Sequence, residues 1–372
     1  MNSKKLSILF AVGIVAIAVG IWLAGRGASS AISSTSALYP NLQSSLQNAI
    51  SVRIYSAGDT LAVDLRRDGD SWSVAQRSGY PADATKVRKL LLSLADAKIK
   101  EEKTSNPDNY ASLNVQDVSD ANASGMRIEV EGVEPKVDLI VGKRGPGTNS
   151  RYVRRAGEAQ SWLIEASISD DRTPGDWLDK ALLDITADRI QSATLTTQGD
   201  KPYTAAKRSQ TDENFAVDNL PKGKALYSES AANSFATALA SLNLSDVRPA
   251  SEIEGKPDDR ATYRTFDGLI LELDGWQQDD KRYVAVRAQF DAAAAERFKL
   301  VKTEAPQAGE NGEPATSKAD DSAAPANSAT SDKVDAQAQA AALADKLKDW
   351  AFEIPQYKYD AIFKPLKDLL KD

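Results

Sequence analysis

Histidine and cysteine are both absent from the 372-residue sequence. Without histidine, no Ser-His-Asp or Cys-His catalytic arrangement can form, and no imidazole exchanges protons near neutral pH. Without cysteine there is no thiolate nucleophile, iron–sulfur cluster, disulfide or lipid-modified cysteine anchor. Zinc loses both of its favoured ligand types. An excess of positive charge is missing as well. The formal net charge is −7, from 46 Lys and Arg against 53 Asp and Glu. The electrostatic footprint that displaces counterions from nucleic acid is therefore lacking, and nucleic acid is not expected as a partner. What remains is carboxylate chemistry, a Ser/Lys pair, or an oxygen-ligand site for a hard cation. No cofactor and no metal site is expected.

Long apolar runs are rare too, with one exception. Lys4 and Lys5 precede Leu6–Ala24, in which Ser7 is the polar residue. At 1.5 Å per residue this run reaches about 28 Å as a helix, close to the hydrocarbon thickness of a bilayer. It is longer than the apolar region of a cleaved signal peptide, about 7–15 residues, and no small-x-small cleavage site follows it cleanly. Residues 6–24 are read as a transmembrane anchor, residues 1–5 as a cytoplasmic tip and residues 25–37 as a tether of small residues. Lys4, Lys5 and the amino terminus outweigh Arg26, so the N-terminus stays cytoplasmic. The expected location is a bacterial inner membrane crossed once, with the bulk of the chain periplasmic.

Past the tether the pattern becomes globular. Pro40 suits the first turn of a helix carrying Leu42, Leu46 and Ile50. "ISVRIYS" alternates as a strand with Ile50, Val52 and Ile54 on one face. In "YPADATKVRKLLLSL" Asp83 reads as an N-cap, and Val87, Leu90, Leu91 and Leu94 define one face of a helix. "MRIEVEG", "VDLIVGKRG", "RYVRRAG" and "SWLIEAS" read as strands.

The pattern then returns. "RIQSATLTT" matches the strand at 50–56, and "NFAVDNLPKGKALYSESAANSFATALASL" matches the Trp72–Leu94 stretch, with a helix turning Phe235, Leu239 and Leu242 inward. "ATYRTFDGLILELDG" and "KRYVAVRAQF" match the hairpin strands, Arg282-Tyr283-Val284 echoing Arg151-Tyr152-Val153. "DWAFEIPQYKYDAIFKPLKDLL" echoes the segment from Trp162. An ordered set of five matches predicts an α+β fold: a transmembrane helix followed by two tandem, similar α+β units with mainly antiparallel sheets. The first repeat spans 38–185 and the second 186–302. Residues 303–332 hold no Leu, Ile, Val, Met or aromatic residue, so they are read as a disordered insertion. Residues 333–372 complete the second repeat as helix, strand and helix.

Candidate sites are few. "VGKRGPGTNS" lacks the closing Gly-Lys-Ser/Thr and the following helix of a phosphate loop, and reads as a hairpin turn. Lys143, Arg144, Arg151, Arg154 and Arg155 form a basic cluster in an acidic protein. Such residues commonly solvate an exposed strand face, and they also suit a dock for an anionic partner such as lipid headgroups, acidic glycan or another protein. Carboxylate pairs at Asp170/Asp171, Asp258/Asp259 and Asp279/Asp280 lie in turn-like surroundings and lack calcium-loop spacing. Trp72, Trp162, Trp177, Trp276 and Trp350 fit core packing better than sugar stacking.

The stretches "WSV…YPADATKVRKLLLSL", "RYVRR", "DWLDKALLDITADRIQSATL" and "DWAFEIPQYKYDAIFKPLKDLL" resemble the bacterial family called domain of unknown function 4340. The resemblance implies a single-anchor protein, in some members encoded near components of a gliding-motility type of ABC transporter with an extracytoplasmic auxiliary subunit. It supplies no catalytic residue. The expectation is a non-enzymatic, membrane-anchored accessory, scaffold or binding protein, its partners the inner-membrane bilayer through residues 6–24 and ABC transporter permease or auxiliary subunits. A carboxylate-dependent envelope hydrolase or glycan-active enzyme is the rival class, and a purely structural envelope spacer the third.

Overall fold

The computed structural model describes residues 36–218, 220–303 and 335–371. The anchor at 6–24, nearly all of the tether and nearly all of the 303–332 insertion lie outside the described residues. Among the described residues, no helix is long and apolar enough to cross a membrane. Chain contacts divide the described residues into two units, those up to 62 with 85–172, and those of 63–84 with the described residues from 173 onward.

The strands of the N-terminal half are β1 (Ser36–Ala37), β2 (Ser51–Ser56), β3 (Thr60–Asp68), β4 (Ser71–Val74) and β5 (Tyr80–Pro81). Helix α1 (Ala84–Ala95) follows, then β6 (Lys98–Glu102), the short helix α2 (Tyr110–Leu113), β7 (Met126–Glu131), β8 (Val137–Arg144), β9 (Ser150–Arg155) and β10 (Ser161–Glu165). In the first unit the strands run in the order β1-β6-β10-β9-β8-β7-β2, with antiparallel pairing throughout. Alternation explains the sheet. Val52, Ile54, Ile128, Val130, Leu139 and Val141 are buried, while Arg53, Tyr55, Arg127, Glu129 and Asp138 point the other way and pair among themselves. Ile50 departs from expectation, standing outside β2 and 58% exposed. Helix α1 matches its periodicity, with Val87, Leu90, Leu91 and Leu94 as its buried residues.

The second unit holds β4, β5 and β11 (Ala181–Leu183), β12 (Ile190–Thr197), β13 (Tyr203–Ala206) and β14 (Ala216–Val217). Then come α3 (Asn233–Ala236), β15 (Leu242–Asn243), β16 (Asp246–Pro249), β17 (Asp259–Thr265), β18 (Leu269–Gln278), β19 (Lys281–Phe290) and α4 (Ala292–Thr303). The chain closes with α5 (Ala336–Leu347), β20 (Trp350–Glu353) and α6 (Gln356–Ile362). Its main sheet runs β14-β13-β12-β17-β18-β19-β20-β16. Together the elements make a mainly antiparallel α+β fold.

The expected helix around Phe235–Leu242 is cut short. All three apolar residues are buried, but α3 is four residues long and Leu242 belongs to a strand. Polar side chains compete with the helix backbone here. Asn233 accepts the amide of Phe215 and bonds Asn214, and Ser241, at φ 47°, donates its amide to Asp184.

Candidate functional site

Of the five clustered cations, Lys143 and Arg144 end β8, and Arg151, Arg154 and Arg155 lie on β9. Arg151 and Arg154 are each 3% exposed. Arg151 donates through Nε and Nη2 to the carbonyl of Ile168 at 3.1 and 2.7 Å, through Nη1 to that of Gly142 at 3.2 Å, and pairs with Asp170 at 2.7 Å. Arg154 donates to the carbonyls of Val115 and Glu158 at 2.8 and 2.9 Å and to Asp117 at 2.7 Å. Its guanidinium lies 4.5 Å from the Tyr110 ring centre. Arg155 bonds the Leu38 carbonyl and Glu158 and stacks 4.9 Å from Trp162. Lys143 and Arg144 are the exposed pair. Lys143 stands 5.8 Å from the Tyr152 ring, and Arg144 reaches Asp170 at 3.3 Å. Fork-shaped guanidinium groups satisfying buried carbonyls explain why these positions are arginine. The structure thus does not bring the five together as one surface.

The glycine-rich stretch is a hairpin connection between β8 and β9, and Gly142 has a separate task inside β8. A Cβ there would lie 2.2 Å from the Leu113 carbonyl oxygen and 2.8 Å from Val115. Absence of a side chain lets the Leu113–Val115 backbone lie on the strand, where Tyr110, Val115 and Ile140 pack together.

The carboxylate pairs also separate. Burial raises the pKa of Asp170, but the hydrogen bonds and charge of Arg151, then Arg144, outweigh it and hold the group below its usual value. Asp171 is lowered in the same way, burial opposed by Lys86 and Ser169. Asp279 and Asp280 occupy left-handed positions, φ 48° and 61°, in the turn joining β18 and β19. Asp259 is raised. It is 7% exposed and accepts from the Tyr359 hydroxyl at 3.2 Å. Burial raises it first, the Asp258 charge adds to that, and the Thr197 and Tyr359 hydroxyls work against both.

A raised carboxyl pKa means that the folded state binds the proton more tightly, so this group's contribution to stability falls as pH rises from the unfolded value, about 3.9, through the folded one. Asp259→Asn is therefore expected to melt at a higher temperature than the parent chain at pH 7. The gap should close as pH falls toward 4, checked by thermal unfolding of both chains across that range.

A groove in the first unit supplies what the clustered arginines do not. One wall is the outer face of α1, with Thr85, Arg88, Lys89, Leu92, Ser93 and Asp96; the other is Glu165, Ala166 and Ser167 with Asn149, enclosing about 490 Å³. The walls are pinned. Lys86 on α1 pairs with Asp171 at 2.7 Å, Ala166 donates its amide to the Asn149 carbonyl at 2.8 Å, and Arg151 holds Ile168 from behind. Glu165 is held by Lys100 at 2.6 Å, whose hydrogen bond and charge keep its pKa low. Arg88 and Lys89 stand exposed, and among the described residues neither has an ion-pair partner. Sequence reasoning passed over both. The available signal was the composition of α1, whose ATKVRKLLLSLA carries three cations and no carboxylate.

The family model of a domain of unknown function, DUF4340, matches residues 72–265, just over half of the 372-residue chain. No curated protein and no solved structure matches it.

Proposed function

The chain belongs to the DUF4340 family, and from that we propose that it is a membrane-anchored extracytoplasmic accessory or scaffold protein that binds a protein partner within an envelope complex of ABC-transporter type. The observation that carries the binding role is the pinned groove beside α1, with its two unpaired cations. The anchor rests on the apolar run Leu6–Ala24, and the transporter association on the family resemblance.

A tandem duplication accompanies this reading. Six strands of the first sheet, β6-β10-β9-β8-β7-β2, have counterparts in the order β16-β20-β19-β18-β17-β12. Arg151-Tyr152-Val153 and Arg282-Tyr283-Val284 lie on the corresponding strands β9 and β19. The polar partners differ between copies. Arg151 clamps two carbonyls, whereas Arg282 lies 6.0 Å from the Tyr359 ring. Retention of strand order with changed polar contacts fits a repeated scaffold better than a repeated reaction centre.

A carboxylate-dependent hydrolase is the second reading, favoured by the raised Asp259 beside Asp258. The test is in-cell crosslinking of the full chain followed by detergent extraction. The expected result is crosslinked membrane permease or auxiliary subunits in the same fraction. Turnover of an envelope substrate that Asp259→Asn abolishes, with no trapped partner, would move the assignment to the second reading.

A further inference from the structure

We infer that the α1 groove takes an acidic peptide segment of the partner, with carboxylates on Arg88 and Lys89 and an apolar side chain over Leu92 and Ala166. The inference rests on the binding role proposed above and names what that site binds. An exposed cation on a helix can pair with a carboxylate three or four residues away. Here the positions three and four from Arg88 are Ala84, Thr85, Leu91 and Leu92, and those from Lys89 are Thr85, Lys86, Leu92 and Ser93. Neither cation has a local anion, whereas the nearby Lys86 and Lys100 are each paired with a carboxylate from a distant part of the sequence, Asp171 and Glu165. In a chain with seven surplus negative charges, this is a site of uncompensated positive charge.

The rest of the groove narrows the ligand. Leu92 on one wall is 38% exposed, and Ala166 on the wall opposite is 9% exposed. A bare phosphate has no use for these apolar side chains, whereas a peptide with an apolar residue flanked by carboxylates covers both features. The arrangement also sets direction. Arg88 and Lys89 lie in the N-terminal half of α1, and Asp96 lies just past its C-terminal end. The acidic residues of the peptide are therefore placed toward Thr85. Glu165 offers little repulsion because Lys100 already neutralises it.

The experiment uses the full chain in detergent micelles and a fluorescein-labelled peptide of sequence Asp-Glu-Leu-Asp-Glu-Leu, followed by anisotropy. The expected result is saturable binding that weakens with salt and falls by about tenfold or more in Arg88→Glu/Lys89→Glu. Leu92→Ala should weaken it severalfold at unchanged charge, and Lys143→Glu, an exposed cation elsewhere, should leave it intact. Both groove substitutions are on an exposed helix face, so melting temperatures should stay close to the parent's. Absence of peptide binding, or binding indifferent to Arg88→Glu/Lys89→Glu, overturns the inference. Binding to vesicles of anionic lipid that Leu92→Ala does not change, with no peptide binding, also overturns it and reassigns the cations to headgroups. The two readings fail separately: partners still crosslinked by Arg88→Glu/Lys89→Glu overturn the groove and leave the scaffold role standing, while loss of all crosslinked partners from the parent chain removes the scaffold role itself.

Discussion

Arg154→Glu is expected to unfold the first unit under conditions where Lys143→Glu leaves it folded. Arg154 is buried and ties together three separate groups, the carbonyls of Val115 and Glu158 and the carboxylate of Asp117. Removing the guanidinium leaves the Val115 carbonyl without its donor beside a residue that is itself fully buried, and forfeits the contact with Tyr110. The substituted carboxylate then faces the Val115 and Glu158 carbonyl oxygens and the Asp117 carboxylate, with no cation of its own. Breaking a buried pair so that a charge is left uncompensated costs about 3–5 kcal/mol, against a whole-domain stability of about 5–15 kcal/mol. Asp117 itself is 62% exposed, so its share of the loss is small and the carbonyls account for most of it. Arg154→Lys should recover only part of the stability, because its three N–H donors sit on one nitrogen and cannot reach acceptors that Arg154 holds from three separate nitrogens. The checking measurement is thermal melting of the three variants with the parent. Equal melting temperatures for Arg154→Glu and Lys143→Glu would contradict the inward placement of Arg154. A corollary concerns charge reversal across the whole basic cluster. Lost function in such a variant reports a lost fold before it reports a lost partner.

Gly142→Ala should be comparably damaging, although it adds only a methyl group. The new Cβ meets the backbone oxygen of Leu113 at 2.2 Å and that of Asn114 at 3.1 Å. Backbone atoms cannot rotate away as the end of a long side chain can. The segment Leu113–Val115 has to lift from β8, and Val115 carries the carbonyl that Arg154 holds. The expected cost is at or above the upper end of the about 1–3 kcal/mol usual for overpacking. Gly147→Ala is the control. It has open space around it, and its strain comes from its φ of 97° alone, so it should destabilise by a smaller amount. Denaturant titration of both variants checks the order. If Gly142→Ala unfolds at the parent's midpoint, the close approach of the two segments is wrong. Arg154→Glu and Gly142→Ala both act on the Leu113–Val115 segment, so their effects in a double variant should fall short of the sum.

Much of the fold was legible because it follows from periodicity. Strands β7 to β10 and helix α1 appeared where alternation and the three-to-four spacing placed them, since one buried face per element is a local property of the chain. Where local polar chemistry contends with that pattern, the reading failed. The Phe235–Leu242 stretch kept its apolar residues inside but gave up its helix to bonds from Asn233 and Ser241. Of the candidate site, the α1 face was spelled out in residue types, yet the wall opposite it, Asn149 and Glu165–Ser167, lies more than fifty residues away in sequence.

By itself the sequence determined most of the strands, helix α1 and the residues these bury, and that the chain carries no histidine or cysteine side chain. Tertiary structure alone decided which charges are spent and which are free. Arg151 and Arg154 look on paper like the exposed Lys143 and Arg144, because the acceptors that draw them inward are backbone carbonyls of Val115, Gly142 and Ile168. A carbonyl has no residue type, so no composition or spacing reveals it. Arg88 and Lys89 stay unpaired for the complementary reason: among the described residues, no segment brings a carboxylate into ion-pair distance of either.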